Sequence, residues 1–297
     1  MTALPKISLV TTNYNYGHFL EATIRSVLDQ GYPNLEYIVI DGGSTDDSVR
    51  IIERYAPRLA HWESAADAGQ AHALNKGLRR CTGDIVGFLN SDDLHLPNTL
   101  AQVARMFADD DVTWIGGPSE ALDAVGRPTG LNRVSSPSAT LRWVTGLWFP
   151  QPSSFWRRRL VDELGLFEEH LYFCFDQEYW ARLAVAGHRP VIAPEPLSGE
   201  RAHPGQKTAN PSSRYVLERL FIAHKFLARL APADAAALRR IIRRYERTLL
   251  RDPFYQKPAP PLSTLFRTLL HHPDLLRDRQ TWGLLKQTLL SRKSSRP

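Results

Sequence analysis

The sequence predicts an α/β fold built on a mostly parallel sheet. Three observations support this prediction: short apolar runs alternate with helical patterns, glycine and proline separate them, and polar clusters follow the apolar runs. Strands that alternate with helices form βαβ units, whose strands run parallel. The chain has 297 residues, of which 43% are hydrophobic and 23% charged, enough to bury a sizeable core in one large or two modest domains.

The first elements follow in order from the spacing of apolar residues. Residues 7–10 form a short apolar run typical of a buried strand, and residues 18–30 place apolar side chains at helical spacing until Gly31 and Pro33. Residues 35–40 are rich in β-branched and aromatic side chains, which favour a second strand. The same reasoning predicts helices over 48–55, 70–80 and 100–107 and strands over 85–89 and 112–115.

The second half of the chain has weaker patterns. Residues 117–150 are rich in Gly, Pro and Ser and predict a loop region, and residues 189–213 hold five prolines and predict irregular structure. We expect one α/β domain over residues 1–213, with 1–116 and 117–213 as its halves, and a helical extension over 214–297. Helices are predicted over 155–167, 176–186, 215–230 and 235–250, with short helical patterns in 262–291.

The net charge of +6 is unevenly distributed along the chain. Residues 214–297 carry 18 basic and 6 acidic side chains, a net charge of +12, whereas residues 1–213 have a net charge of −6. A basic extension on an acidic body argues against uniform affinity for nucleic acid, so we expect no nucleic-acid partner.

The extension contains a basic amphipathic pattern over residues 235–250. This pattern is typical of a helix on an anionic membrane surface. It is equally typical of a helix that packs its apolar stripe onto the α/β domain or a second subunit. Peripheral membrane contact and a homodimer through residues 214–297 both stay open. The apolar stripe and the arginines around it are Leu238, Ile241, Ile242, Tyr245 and Leu249, and Arg239, Arg240, Arg243, Arg244, Arg247 and Arg251.

Cysteine usage and hydropathy bear on the cellular compartment. Cys81 and Cys174 are too few for a disulfide framework, and the N-terminus reaches polar residues too early for a signal peptide. No run approaches the roughly 20 apolar residues that span a bilayer. We therefore expect a cytoplasmic protein, with the inner face of the cell membrane as a further location.

Polar clusters follow three of the predicted strands, where ligands bind in parallel sheets. Asn90-Ser-Asp-Asp comes directly after the strand at 85–89. Its adjacent carboxylates, Asp92 and Asp93, suit a hard divalent cation such as Mg²⁺ or Mn²⁺, which completes its shell with phosphate oxygens and water. An isolated pair of this kind is more often a solvated turn with a helix cap.

The other two clusters carry glycine, hydroxyl, amide and aromatic groups. Asp41-Gly-Gly-Ser-Thr-Asp follows the second strand, and its glycines let the backbone approach a ligand closely. Thr11-Thr-Asn-Tyr-Asn ends the first strand with groups that can hydrogen-bond and stack a nucleobase. Each cluster by itself is also explained as a turn.

Four segments together resemble the family 2 glycosyltransferases in order and spacing. Three later segments are also similar to that family: Gln151-Pro-Ser-Ser-Phe-Trp-Arg-Arg, Asp176-Gln-Glu-Tyr-Trp-Ala-Arg-Leu and His203. The resemblance covers about residues 5–208. The four segments are Ile7-Ser-Leu-Val-Thr-Thr-Asn-Tyr-Asn, Ile38-Val-Ile-Asp-Gly-Gly-Ser-Thr-Asp, Asp67-Ala-Gly-Gln-Ala-His-Ala-Leu-Asn-Lys-Gly-Leu and Thr82-Gly-Asp-Ile-Val-Gly-Phe-Leu-Asn-Ser-Asp-Asp.

The resemblance implies a GT-A-type three-layer α/β/α sandwich. It also implies a metal-dependent enzyme, using Mn²⁺ or Mg²⁺, that transfers a sugar with inversion to an acceptor hydroxyl. The donor is a nucleoside-diphosphate sugar, with a UDP-sugar favoured, and the acceptor is a glycan or a lipid-linked molecule. Synthesis of cell-surface polysaccharide or glycolipid is the expected setting.

The resemblance also implies which residues form the nucleotide and metal sites. Asp93 is expected to bind the metal, and His203 to meet the metal or the diphosphate. Many members carry Asp-Asp where this chain has Asp41 and Gly42, so the donor base is open to guanosine or thymidine as well. The expected nucleotide contacts are Thr12, Tyr14, Asp41, Asp67 and, near the ribose, Asp92.

On the acceptor side, the resemblance places the catalytic base at Asp176. The family's common Glu-Asp pair is Phe175-Asp176 here. A helix-cap aspartate is the alternative interpretation. Glu178 is expected to be acceptor-side or structural, and Lys207 either neutralises phosphate charge or is simply solvated.

Other functions share parts of this pattern. A sugar nucleotidylyltransferase would share the sheet and the metal, but would want a glycine-rich phosphate loop near the N-terminus. A dinucleotide dehydrogenase would want Gly-x-Gly-x-x-Gly after the first strand, which is absent. A non-catalytic membrane-associated scaffold or carbohydrate-binding protein would not need Asp92, Asp93 and Asp176.

Overall fold

The structure is a computed structural model that describes residues 4–134, 140–146, 150–209, 212–251, 261–272, 275 and 279–293. The chain divides into two compact units. The first comprises residues 1–138, 147–170 and 175–204, and the second comprises residues 139–146, 171–174 and 205–297.

A seven-stranded sheet forms the centre of the first unit. Its strand order is β10-β6-β9-β4-β1-β2-β3, and every neighbouring pair is parallel except those made by β9, which is antiparallel to β4 and β6. The predicted mostly parallel sheet is therefore confirmed. The strands are β1 Ile7–Asn13, β2 Leu35–Asp41, β3 His61–Ser64, β4 Ile85–Asn90, β6 Trp114–Gly116, β9 Phe155–Arg157 and β10 Val191–Ile192.

Helices cover both sides of this sheet, which gives the expected three-layer α/β/α arrangement. The strands most central to the sheet are buried on both faces, as parallel strands between helical layers must be. The predicted helices near 18–30, 48–55, 70–80 and 100–107 are confirmed within a few residues. The helices are α1 Gly17–Leu28, α2 Ser48–Tyr55, α3 Gln70–Leu78, α4 Thr99–Met106, α6 Arg159–Leu164 and α7 Phe175–Val185.

A second, four-stranded sheet lies where loops were predicted. Its order is β5-β11-β7-β8, and β7 and β8 form an antiparallel hairpin. The expectations of a loop over 117–150 and of irregular structure over 189–213 are therefore wrong in part. These strands of two to five residues are too short for a period-2 pattern to be visible in the sequence. The strands are β5 Leu94–His95, β7 Ser119–Leu122, β8 Pro128–Asn132 and β11 Ser198–Arg201.

The predicted helix over 155–167 is also wrong at its start. Phe155 and Trp156 belong to β9, and the helix in this region covers only Arg159–Leu164. Both aromatic side chains are fully buried. Gly87 of β4 leaves room for Phe155, because a Cβ at position 87 would lie 2.6 Å from the Phe155 ring. Packing against the sheet has overridden the local helical pattern.

The second unit is helical. In α9 the apolar stripe is used for packing: Leu238, Ile242 and Leu249 are buried, and α9 contacts α8, α5, α10 and α11. None of the helices that the structure describes is both long and apolar enough to cross a bilayer. The helices of this unit are α5 Thr140–Thr145, α8 Ser213–Leu227, α9 Pro232–Arg251, α10 Leu262–His271 and α11 Arg279–Lys293.

Glu36 ties together the amino ends of three strands in the first unit. Its Oε1 accepts hydrogen bonds from Lys6 Nζ at 2.7 Å and Thr82 Oγ1 at 2.6 Å, and its Oε2 accepts from the Thr82 backbone N–H at 2.7 Å and from Ser8. Burial by itself would raise the pKa of Glu36. The bonds from Lys6, Ser8 and Thr82 outweigh burial and hold the pKa at about 2.

We expect Glu36→Gln to lower the free energy of unfolding by about 1–3 kcal/mol near neutral pH, the usual range for bonds to a charged group. Because the folded pKa is about 2 and the ordinary value is 4.5, the ionised side chain stabilises the fold above pH 4.5. That contribution is lost as the pH falls towards 2. Urea unfolding at several pH values measures it, with the exposed Glu53→Gln as control. An equal difference from the wild type at all pH values would contradict the assignment.

Candidate active site

Polar residues from three neighbouring strands meet at one edge of the central sheet. Asn13 at the end of β1 pairs with Asp41 of β2, and Thr12 pairs with Asn90 of β4. Since these strands are parallel, their carboxyl ends lie side by side, which is where ligands bind in open α/β sheets. The three clusters singled out in the sequence therefore line one site.

Asp41 is fully buried and holds the loop after β2. Its Oδ1 accepts from Asn13 Nδ2 at 2.7 Å and Ser44 Oγ at 2.6 Å, and its Oδ2 accepts from Ser64 Oγ at 2.6 Å and from the backbone N–H groups of Gly43 and Ser44. Burial would raise the pKa of Asp41, but the bonds from Ser44, Ser64 and Asn13 lower it below its ordinary value. In this conformation both carboxylate oxygens of Asp41 bond to the loop after β2 and its neighbours, and a contact with a nucleobase stays a prediction.

Thr12 and Tyr14 differ in exposure. Thr12 is only 6% exposed, whereas Tyr14 just beyond β1 is 61% exposed. An exposed ring at the end of a strand can stack on a nucleobase. Tyr14 is thus placed as the sequence expects, and its role stays a prediction.

Gly42 lies against Asp67 and Tyr14. A Cβ at position 42 would lie 2.7 Å from Asp67 Oδ2 and 3.3 Å from Tyr14 Cδ2. Asp67 is fixed there because its Oδ1 accepts from the Gly69 backbone N–H at 2.7 Å. The Asp67 carboxylate therefore occupies space that a second aspartate at position 42 would need. A side chain at position 42 would therefore have to displace the Asp67 carboxylate or the Tyr14 ring.

We expect Gly42→Ala to weaken UDP binding about tenfold, because the new methyl group displaces the Asp67 carboxylate and the Tyr14 ring, and a charged hydrogen bond contributes about 1.5–3 kcal/mol. Titration calorimetry with UDP measures the affinity. Gly130→Ala is the matched control, since nothing lies within 4 Å of a Cβ at that position. Unchanged affinity in Gly42→Ala would show that this contact does not shape the nucleotide site.

The adjacent aspartates after β4 point to different partners. Asp92 Oδ2 lies 3.1 Å from His203 Nε2, across 111 residues of sequence. Asp93 is buried, and its oxygens accept from the Arg201 backbone N–H at 3.1 Å and Asn90 Nδ2 at 3.4 Å. Burial, the charge of Asp92 and the charge of Glu200 all raise the pKa of Asp93. The structure therefore brings His203 to Asp92, while Asp93 is buried and bonded to Arg201 and Asn90.

Two aromatic rings pack against His203, and an arginine stacks on one of them. The His203 ring lies 4.8 Å from the Phe19 ring and 5.5 Å from the Tyr16 ring, centroid to centroid. Arg201 stacks over Phe19 at 4.7 Å and donates from Nε to the Asp92 carbonyl at 2.9 Å. The sequence did not predict that Tyr16, Phe19 and Arg201 belong to the site, because only the fold brings β11 beside the start of α1.

Asp92, Asp93 and His203 carry oxygen and nitrogen donors of the kinds that bind divalent cations. Within the residues that the structure describes, no group of three His, Cys, Asp or Glu side chains has metal-binding geometry. A cation here would take one or two of these side chains and complete its shell with diphosphate oxygens, as Mg²⁺ commonly does. Burial and the neighbouring charges of Asp92 and Glu200 raise the pKa of Asp93, and a cation bound beside it would offset that effect.

A network of amides continues the site away from the carboxylates. Gln70 Nε2 donates to Asn90 Oδ1 at 2.7 Å, and Asn90 Nδ2 donates to Gln151 Oε1 at 2.9 Å. Gln151 Nε2 donates in turn to the Phe88 carbonyl at 2.8 Å. Gln151 belongs to a segment that the resemblance had marked, but its contact with Asn90 was visible only in the structure.

Glu200 of β11 adds a third acidic group near the aspartates. Its Oε2 accepts from Ser119 Oγ at 2.6 Å and Asn132 Nδ2 at 2.8 Å. Burial is the main cause that raises the pKa of Glu200, and the charge of Asp92 raises it further. No local signal in the sequence marks Glu200, since it lies in a region predicted to be irregular.

Asp176 lies at the second residue of α7, and the start of α7 packs against β4. The Phe175 ring is 6.1 Å from the Phe88 ring, and Phe88 comes two residues before Asn90. Asp176 is half-buried, and its Oδ1 accepts from the Gln177 backbone N–H at 2.7 Å. This bond matches the alternative of a helix-cap aspartate, and the catalytic role of Asp176 stays a prediction.

Glu178 has a structural partner. It is fully buried and forms an ion pair with Arg182, one turn later in α7. Arg182 is held by the carbonyls of Leu164 and Leu166 at 2.7 and 2.9 Å. In the second unit, Lys207 donates from Nζ to the Tyr172 carbonyl at 2.7 Å and stacks on the Tyr172 ring. Glu178 and Lys207 therefore each have a partner in their own part of the fold.

Two curated relatives match part of the chain. An uncharacterized glycosyltransferase of Mycobacterium tuberculosis is 33% identical over 192 residues, which cover 62% of this chain and 71% of the relative. A glucosyltransferase of Escherichia coli, described as UDP-Glc:alpha-D-GlcNAc-diphosphoundecaprenol beta-1,3-glucosyltransferase, is 30% identical over 118 residues, covering 39% of this chain and 47% of that protein.

Two solved structures share the fold over almost the whole chain. S. aureus TarS in complex with UDP-GlcNAc matches with a TM-score of 0.66 at 20% identity, covering 97% of this chain and 92% of that one. The mannosyltransferase PcManGT of Pyrobaculum calidifontis, in complex with GDP-Man and Mn²⁺, matches with a TM-score of 0.61 at 20% identity, covering 97% and 87%. The GT-A fold is thereby confirmed.

The family assignment rests on sequence as well as on fold. The family model described as glycosyl transferase family 2 matches residues 8–165, which include the ends of β1, β2 and β4 and both aspartates after β4. The alignment with the mycobacterial relative, over 192 residues, is longer than the stretch that the family model matches. The chain belongs to glycosyl transferase family 2.

Proposed function

We propose that the protein transfers a sugar, with inversion, from a nucleoside-diphosphate sugar to an acceptor hydroxyl. The observation that carries this proposal is the meeting of an exposed aromatic ring, Tyr14, and the carboxylates Asp67 and Asp92 at adjoining strand ends. An aromatic ring can stack the base, and carboxylates can accept from base and ribose.

The diphosphate side of the proposed site is formed by Asp92, Asp93 and His203. When bound there, Mn²⁺ or Mg²⁺ would act as a Lewis acid that stabilises negative charge on the departing diphosphate. Asp93 and His203 are the proposed ligands, with Asp92 beside them and near the ribose. Arg201 fixes this arrangement by its bonds to the Asp92 carbonyl and to Asp93.

The attacking side needs a separate base. Inversion in a single displacement requires the acceptor oxygen to approach the anomeric carbon opposite the diphosphate. We assign to Asp176 the role of accepting the proton of the acceptor hydroxyl, because Glu178 is buried in an ion pair with Arg182. The new bond forms from the acceptor oxygen as the bond to the diphosphate breaks, so one proton and one nucleoside diphosphate are released.

A UDP-sugar is the favoured donor, and a glycan or lipid-linked molecule the proposed acceptor. The E. coli relative is named for UDP-Glc and a diphosphoundecaprenol-linked acceptor, and the TarS structure holds UDP-GlcNAc. The mannosyltransferase structure holds GDP-Man, so a guanosine donor belongs in the same test. We infer a role in cell-surface polysaccharide or glycolipid synthesis, in the cytoplasm at the inner face of the membrane where a lipid-linked acceptor would be met.

A panel of UDP-Glc, UDP-GlcNAc and GDP-Man, each with and without Mn²⁺, tests the proposal through release of the nucleoside diphosphate. We expect slow hydrolysis of one donor, and faster release when an acceptor is added. NMR of the transferred sugar then reports whether the anomeric configuration is inverted. Release of pyrophosphate from a nucleoside triphosphate, with no reaction of any sugar donor, would instead identify a nucleotidylyltransferase.

A further inference from the structure

The outer faces of α10 and α11 carry large apolar side chains. Both helices bury one face in a shared leucine cluster that includes Leu265, Leu269, Leu284 and Leu285. On the other face Leu270 is 82% exposed, and Phe266, Trp282 and Leu289 are between 51% and 57% exposed. Exposed apolar side chains at this density on two neighbouring helices indicate an interaction surface. We call these four residues the apolar ridge.

The spacing of the ridge residues makes a continuous stripe on each helix. Phe266 and Leu270 are four residues apart in α10, and Trp282 and Leu289 are seven apart in α11, so each pair lies on one side of its helix. Arg267 and Lys286 are exposed beside them. Each helix therefore presents apolar side chains flanked by a cation.

The neighbouring α9 adds a basic surface. Arg239, Arg240, Arg243 and Arg244 are all exposed, and no carboxylate among the described residues forms an ion pair with them. Two of the nearby carboxylates are directed inward, since Glu218 and Glu246 are buried at 6% and 2% exposure, and Asp234 at the start of α9 is partly exposed. The outward charge of the described side chains is thus strongly positive.

The buried carboxylates are occupied. Glu246 meets His271 at 2.9 Å and His272 at 3.2 Å, and Glu218 accepts from the backbone N–H groups of residues 172–174. Neither can turn outward without breaking these bonds. Among the described residues, the four α9 arginines together with Arg267 and Lys286 therefore present an excess of positive charge at the surface.

We propose that the apolar ridge and the α9 arginines form a docking surface for an anionic lipid bilayer. Apolar side chains enter the boundary between headgroups and acyl chains, while arginines bind the negative surface. A second copy of the chain is a poorer occupant, because two such basic surfaces would repel each other. The inference extends the membrane location proposed above and rests on it for its biological setting, but lipid binding is measurable without the transfer reaction.

Vesicle flotation of the full chain tests the surface. We expect binding to phosphatidylcholine–phosphatidylglycerol vesicles and little binding to pure phosphatidylcholine, with loss at high salt as screening shortens the reach of the charges. Replacing the four α9 arginines by glutamine should lower partitioning about fivefold for each charge that lies near the surface. Phe266→Ser with Leu270→Ser should lower it about tenfold or more. Val125→Ser is the matched control, because Val125 is 70% exposed in the first unit.

A site-specific probe gives a second readout. Both native cysteines are buried, so Leu270→Cys creates an exposed thiol for an environment-sensitive dye. We expect its emission to shift to the blue on anionic vesicles, and no shift from a dye at Val125→Cys. Flotation unchanged in the Phe266 and Leu270 double variant, together with no shift at position 270, would overturn the proposal. A concentration-dependent dimer that this double variant abolishes, with no lipid binding, would assign the ridge to a second copy instead.

Measuring donor turnover distinguishes a failure of the docking surface from a failure of the proposed function. Release of nucleoside diphosphate from the donor without vesicles should be equal in the wild type and the Phe266 and Leu270 double variant. Lipid binding without any donor turnover would leave the docking surface standing and overturn the proposed transferase activity. Turnover without lipid binding would overturn the docking surface alone.

Discussion

Asp176→Asn should lower the rate of sugar transfer by about 10²–10⁴-fold, the usual contribution of a positioned base, while UDP binding is retained. Asparagine keeps the size of the side chain and the acceptor oxygen that takes the Gln177 N–H bond. It removes only the basicity that the proposed reaction needs. Steady-state kinetics with the donor that the panel assay selects, alongside calorimetry with UDP, separates turnover from binding.

Glu178 supplies the control for this experiment. It is buried in an ion pair with Arg182, so Glu178→Gln should reduce stability, because breaking a buried pair is costly, by about 3–5 kcal/mol at most. The remaining folded enzyme should still turn over. If Asp176→Asn were fully active and Glu178→Gln folded but inactive, the base would be Glu178.

Asp93→Asn should lower the affinity for UDP in the presence of Mn²⁺ by about 10–100-fold or more, the loss that even indirect partners of a metal cause. The residual binding should no longer depend on Mn²⁺. Calorimetry with UDP alone and with UDP plus Mn²⁺ reads this directly, without a transfer assay. Asparagine can keep the bond from the Arg201 N–H, so the loop should stay in place.

Asp92 and His203 decide how the metal site is divided. Their 3.1 Å contact predicts that Asp92→Asn and His203→Ala are not additive, since each removes part of one arrangement. Mn²⁺ dependence that survives in Asp93→Asn and disappears in Asp92→Asn would move the principal metal ligand to Asp92. The Asp93 assignment would then be abandoned.

The sequence by itself determined the class of fold and the edge of the sheet that carries the site. Parallel strands such as 35–40 and 85–89 are readable because both of their faces are buried, so each run is apolar apart from Glu36. The polar groups directly after them, at Asp41 and Asp92, could be assigned to one edge because parallel strands end on the same side. The family resemblance rested on the same residues.

The tertiary structure decided what the short strands do. Phe155 and Trp156 lie in a strand because their backbone pairs with β4 and β6 and both rings are buried, an effect that no local pattern contains. The second sheet was missed over 117–132 and 198–201 for the same reason, and with it the approach of Glu200 and Arg201 to the aspartates. Strands of two to five residues are set by their partners more than by their own composition.

Long-range contacts also decided the roles of single side chains. The sequence left Glu178 between an acceptor-side and a structural role, and the pairing with Arg182 gives it a structural partner. The sequence could not show that the Asp67 carboxylate, 25 residues further along the chain, packs against Gly42. The pattern on α9 was equally suited to packing and to lipid. The fold buries Leu238, Ile242 and Leu249 of the α9 stripe and exposes the four arginines at 239, 240, 243 and 244, because a helix with several neighbours packs its apolar face against them.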